Sequence, residues 1–153
     1  MDLEESITGL FISVLERLTA HVSDLTYNKK KIGLDIFIIN FIGEKITGET
    51  DKRVNMTDIR KNLHIRPSTA TRKVNYLVSM GLIERTVPES NRREVNLNLT
   101  EEGLMLYETF RKLLETGISA MLQKFSSEEV ATFTKILEKL VNSTDRLISD
   151  LSL

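Results

Sequence analysis

Residues Thr57 to Thr100 read TDIRKNLHIRPSTATRKVNYLVSMGLIERTVPESNRREVNLNLT. Ile59 and Leu63 stand four apart, on one face of a helix, and Ile65 follows in a turn. A second helix is expected from Pro67, because a proline at the first helical position lacks only an N–H that would have no partner there. Ala70, Val74, Leu77 and Val78 form its inward stripe. Gly81 suits the positive φ that commonly closes a helix. Leu82 to Val87 and Val95 to Leu99 then read as two short strands about a turn at Pro88 to Asn91. Val95, Leu97 and Leu99 alternate with polar residues, the pattern of a half-buried strand. Helix, turn, helix and a hairpin tipped by Arg92 and Arg93 together make a winged helix-turn-helix.

The chemistry left facing outward points to nucleic acid. Ser68, Thr69, Thr71, Arg72, Asn75 and Tyr76 lie on or beside the outer face of the second helix, with Arg66 just ahead of it. Hydroxyls, a guanidinium, an amide and a phenol are groups that bond base edges and phosphates in a major groove. With Asn91, Arg92 and Arg93 at the hairpin tip, these are the expected DNA contacts. Charge is distributed to match. The whole chain is nearly neutral, 21 basic against 22 acidic residues. Asp51 to Thr100 carries ten Lys/Arg against five Asp/Glu, an excess of +5, while the remainder, 11 against 17, carries −6. A basic lobe on an acidic body concentrates attraction for phosphate on one face. A merely solvated charged surface is the competing reading of that excess.

The flanks are helical and apolar. Leu3, Ile7, Leu10, Phe11, Val14, Leu18, Val22 and Leu25 trace a stripe through the first segment, and Asp35 to Lys45 read as a mostly buried helix. A polar connection between Glu44 and Met56 is expected to be a long, mobile loop. After the wing, Thr100 is placed to cap a helix carrying Leu104, Tyr107, Phe110, Leu114, Ile118, Met121 and Leu122, with Glu101 and Glu102 in its first turn. Ser126 and Glu129 form a capping box for a last helix bearing Val130, Phe133, Leu137, Leu140, Val141, Leu147, Ile148 and Leu151. Terminal helices this apolar have more face than one small lobe covers. A second copy is the expected cover, and folding back on the chain's own domain is the alternative.

Other function classes find little support. Zero cysteines exclude disulfides, thiolate metal sites and a thiol redox switch. There is no Gly-rich phosphate loop, G-x-S-x-G or H-E-x-x-H, so no enzyme is expected. His21 and Asp24 stand three apart, but two ligands do not make a metal site. Lys29, Lys30 and Lys31 read as a solvated stretch between helices that has the charge to touch flanking DNA or an anionic effector. No apolar run reaches membrane-spanning length, and Met-Asp-Leu-Glu-Glu lacks the basic start of a secretory signal. A cytoplasmic chain with no cofactor and no membrane partner is expected.

The conjunction of S-T-x-T-R at Ser68 to Arg72, G-L-I-E-R at Gly81 to Arg85, and Arg92, Arg93, Leu99, Thr100 and Gly103 in R-R…L-T-x-x-G resembles the MarR family of transcription regulators. The likeness spans nearly the whole chain, flanking helices included. It departs at Arg60, where alanine is usual, at His64, where glycine is frequent, and at Asn91, which replaces the acid of an Asp-x-Arg wing signature. The resemblance implies a mainly α fold with a small β-wing over 1–153. Residues 1–30 and 101–153 would be dimerisation helices and 35–100 the winged helix-turn-helix lobe. It further implies a homodimeric repressor on palindromic double-stranded DNA, released by a small-molecule effector. A winged helix that instead docks an acidic protein is the second reading; steep salt dependence with a preferred DNA sequence would separate the two.

Overall fold

The computed structural model describes residues 3–48, 53–88 and 94–151, and side chains for these except 3–5, 18 and 145–151. Asn91, Arg92 and Arg93, the centre of the loop after α2, and the side chains of Leu3, Leu18, Leu147, Ile148 and Leu151 lie outside the described set. The elements run α1 (Leu3–Ser23), β1 (Thr26–Tyr27), β2 (Lys30–Lys31), α2 (Ile36–Thr47), α3 (Met56–Leu63), α4 (Pro67–Ser79), β3 (Ile83–Thr86), β4 (Asn96–Leu99), α5 (Glu101–Leu122) and α6 (Ser127–Leu151), with a 3-10 turn at Gly33–Asp35. This is the expected mainly helical chain with a small antiparallel wing. It falls into two compact units, Met1–Thr109 and Phe110–Leu153.

The first unit has a dry core built from α2 (Ile36, Ile38, Ile39, Ile42), α3 (Ile59), α4 (Ala70, Val74, Leu77) and the wing base (Leu82, Ile83, Leu97). Pro67 opens α4 as expected. Gly81 closes it at φ 72°, which lets the Leu82 N–H return to the Leu77 carbonyl at 3.1 Å. The turn between α3 and α4 uses His64 at φ 49°, a left-handed position where a glycine carries no steric cost. The start of α3 is held by Asn55, whose side chain accepts from the N–H groups of Thr57 and Asp58 while Asp58 accepts from the Asn55 N–H. That capping box, with Asn and Asp in place of the usual Ser and Glu, is not among the sequence expectations.

Thr100 joins three elements. Its hydroxyl donates to the Gly81 carbonyl at 2.6 Å and accepts from the Gly103 N–H at 3.0 Å, capping α5. Gly103 has no alternative: a Cβ there would lie 2.0 Å from the Leu82 carbonyl oxygen. Gly43 plays a similar part in α2, since a Cβ would lie 2.4 Å from the Tyr107 ring.

The structure departs from the expected pattern at several places. Leu25 lies beyond the end of α1, α2 runs on to Thr47, and Leu63 and Val78 are half-buried. The strand alternation fails at its start: Val95 is 39% exposed and Asn96 is buried, with no partner for its Oδ1. The reason is that β4 is flanked on both edges. It pairs with β3 on one side, while the Leu97 N–H donates to the Val54 carbonyl at 2.7 Å on the other. The Lys29 to Lys31 stretch is exposed between helices as expected, but it is also paired as a short hairpin, with Tyr27 opposite Lys30 and Thr26 opposite Lys31.

In the second unit α6 is opened by the expected capping box. The Ser126 N–H donates to Glu129 Oε2 at 2.8 Å and the Glu129 N–H to Ser126 Oγ at 3.2 Å. Ile118, Leu122, Phe125 and Val130 line an open groove between the end of α5 and the start of α6. Leu113, Phe133, Ile136 and Val141 are all at least half exposed. Among the described residues no helix is long and apolar enough to cross a membrane.

Candidate nucleic-acid interface

Burial of Ala70, Val74 and Leu77 fixes the rotation of α4 and leaves its other side to solvent. Arg66, Ser68, Thr71, Arg72 and Asn75 are exposed, and Thr69 and Tyr76 are half-buried. The Ala70 N–H already reaches the Arg66 carbonyl at 3.0 Å, so Ser68 and Thr69 carry the first free N–H groups of the helix, and Arg66 provides no side-chain cap for them. Free N–H groups at the positive end of a helix dipole, bordered by hydroxyls and a guanidinium, suit a phosphate oxygen.

The seven described candidates are not equivalent. Arg66 and Arg72 make no ion pair among the described residues and have guanidinium groups free to act on a partner. The Thr71 hydroxyl donates to the Pro67 carbonyl at 3.0 Å and keeps its lone pairs as acceptors. Asn75 Oδ1 accepts from Arg85 Nη2, leaving the amide N–H groups as donors. In that state Asn75 cannot make the two-point contact with adenine, which uses both ends of the amide. The Tyr76 hydroxyl donates to the Lys31 carbonyl at 2.8 Å, so the phenol is committed to the β1–β2 hairpin. Lys73, one turn earlier, pairs with Asp35. These two links, one helical turn apart, brace the outer flank of α4 against the connection from α1 to α2.

Arg85 is a site residue that sequence reasoning missed. Its signal lay in the strand period: Ile83 points to the core, and Arg85 follows two residues later as an exposed residue at the end of α4, close enough to hold Asn75. Arg53, Arg60 and Lys61 are further exposed cations of the same lobe. His21 Nδ1 lies 2.9 Å from the Arg17 carbonyl, and among the described residues no three His, Asp or Glu side chains gather as a metal site would require.

Similarity to known proteins agrees with this geometry. The model of the MarR family matches residues 49–95. An uncharacterized HTH-type transcriptional regulator, YwhA of Bacillus subtilis, is 34% identical over 54% of this chain and 60% of its own length. The HTH-type transcriptional repressor YetL of the same organism is 29% identical over 59% of this chain and 54% of its own. The chain thus spans little more than half the length of these curated relatives. Among solved structures, Streptococcus pneumoniae FabT in complex with DNA superposes with a TM-score of 0.75 at 25% identity, covering 95% of this chain and 96% of that one. Over residues 49–95 the chain is similar to the MarR family, and its fold matches that of FabT.

Proposed function

We propose that this protein is a sequence-specific, DNA-binding transcription regulator that works as a homodimer. The observation that carries the reading is the exposed face of α4: Arg66, Ser68, Thr69, Thr71 and Arg72 beside an uncapped helix start, set in the most basic part of the chain. Such a face reads base edges with Arg72 and grips phosphate with the N–H groups and hydroxyls. Asn91, Arg92 and Arg93 remain part of the interface on sequence grounds, as minor-groove or backbone contacts of the wing. The similarity to a repressor and to a protein bound to DNA supports the same direction.

Dimerisation is supported by apolar side chains for which a single chain has no use. Ile7, Leu10 and Phe11 on α1 and Phe133, Leu137, Leu140 and Val141 on α6 are exposed to between 43% and 67%. A two-fold dimer of helix-turn-helix lobes implies a palindromic operator with half-sites in successive major grooves. Repression released by a small molecule is the regulatory half of the proposal and rests on the family resemblance.

Selection of bound sequences from a random DNA pool, repeated at several salt concentrations, tests the reading. A palindromic consensus whose affinity falls steeply with salt is the expected result. Recovery of no preferred sequence, with little salt dependence, would instead favour a winged helix that docks a protein.

A further inference from the structure

The β1–β2 hairpin lies outside the segment matched by the family model, and its lysines are not used by the helix-turn-helix. We propose that it is an additional contact to the DNA backbone, in which Lys29, Lys30 and Lys31 engage phosphates beside the groove entered by α4, and Tyr76 is the residue that positions them. The proposal rests on the DNA-binding reading above.

The hairpin is built rather than incidental. Asn28 at φ 49° and Lys29 at φ 63° form a two-residue loop with both residues left-handed, the turn whose twist matches an antiparallel pair. Asparagine tolerates that region well, but the second loop position usually falls to glycine, and here it holds a lysine at the tip. The base is closed by the Leu25 carbonyl, which accepts from the N–H groups of Ile32 at 2.8 Å and Gly33 at 3.1 Å. Gly33 follows at φ 52°, in the left-handed region that favours glycine.

Charge and position then agree. All three lysines are exposed, and among the described residues none has a carboxylate partner. Of the two acids that bracket the hairpin in sequence, Asp35 is taken by Lys73, and the exposed Asp24 makes no ion pair with the lysines among the described residues. The bond from Tyr76 to the Lys31 carbonyl and the pair from Lys73 to Asp35 hold this cationic loop against α4 itself. Tyr76 lies four residues beyond Arg72, about 6 Å along the helix axis. A helix seated in a major groove has a phosphate wall on either flank, and the duplex carries one charge per about 1.7 Å of axis. Cations tied to that flank therefore face phosphate whenever Arg72 faces bases.

The test uses the full chain, a duplex selected by the wild type from a random pool, and a random-sequence duplex of equal length. For K29Q/K30Q/K31Q, the slope of log affinity against log salt should become shallower by about 0.9 for each phosphate that the lysines no longer neutralise. Both duplexes should weaken in the same proportion, and protection from hydroxyl radicals should disappear only at phosphates flanking the consensus. Y76F should reproduce part of the slope change in the wild type and add nothing in the triple variant, because a positioning residue acts only through what it positions. An unchanged slope and footprint in a folded triple variant, with the wild type still preferring its duplex, would overturn the hairpin contact and leave the DNA reading intact. Equal effects of Y76F in both backgrounds would overturn the positioning role. A wild type with no preferred duplex would remove the DNA reading and this proposal with it.

Discussion

The helix-turn-helix lobe and the terminal helices have similar apolar content and treat it oppositely. Ile59, Val74, Leu77, Leu82 and Leu97 in the lobe are all at 0% exposure, whereas Leu10 on α1 and Val141 on α6 are each at 67%. The lobe can close a core over itself because α2, α3, α4 and the wing supply faces in different directions. The apolar stripes of α1 and α6 stay largely exposed: Ile7, Leu10, Phe11 and Val14 on the first, Phe133, Ile136, Leu140 and Val141 on the second. The lesson is that the lobe's stability is a property of one chain, whereas that of the long helices is expected to depend on concentration.

The comparison is broken most severely in the lobe. Leu77→Ala removes a fully buried side chain and should lower stability by about 2–5 kcal/mol, independently of protein concentration. Chemical denaturation at two concentrations checks it: the decrease should be equal at both. Leu140→Ala, by contrast, should cost far less in dilute protein, because Leu140 is 45% exposed there. Equal decreases for the two leucines would mean that the single-chain exposure of α6 is misleading.

The next effect tests what covers the exposed stripes. The wild type should sediment as a dimer at micromolar concentration. Leu140→Glu with Leu137→Glu should dissociate it by placing unpaired charges in a dry interface. Operator affinity should fall sharply, since two half-sites are no longer bound together. A monomer that keeps full operator affinity would detach the apolar stripes from DNA binding altogether.

Within the lobe the contrast is between reading and gripping. Arg72→Ala should cost specific binding about 1–3 kcal/mol and relax one operator position. Arg66→Ala, at the helix start, should weaken selected and random duplexes alike and reduce the salt slope by about one. Competition titrations with single-base operator variants distinguish the two outcomes. If Arg72→Ala weakened both duplexes evenly, the guanidinium would belong with the phosphate contacts.

The sequence is most legible where one residue performs one local task. Pro67, Gly81 and Thr100 mark helix boundaries because a missing N–H, a missing Cβ and a hydroxyl each have a single structural use there. Side chains whose partners lie far along the chain are not legible. Tyr76 and Lys31 are separated by 45 residues, so a phenol that reads as facing DNA is held by a carbonyl that no local pattern reveals. The β1–β2 hairpin has two-residue strands, too short for a period of two to register. Asn96 is buried because Val54, arriving from before α3, covers the second edge of β4. The outer face of α4 reads in the sequence as one uniform set, and the structure divides it into free guanidinium groups and an amide and a phenol already engaged.

The smallest expected effect lies in the second unit, at the exposed start of α6. The Glu129 carboxyl is held below its ordinary value, first by the hydrogen bond from the Ser126 backbone N–H and then by the one from the Ser126 side chain. A group with a depressed folded-state pKa contributes stability that is fully present above its unfolded value, near 4.5, and is lost as pH falls through the folded value. The difference in stability between wild type and Glu129→Gln should therefore be constant through neutral pH and shrink only below about pH 4.5. Because the carboxylate is wholly exposed, solvent and salt screen it, and the effect should be smaller than any of the above. Thermal melts of both proteins across that range measure it, and a difference that instead grew on acidification would mean that the charged form is not the one holding the cap.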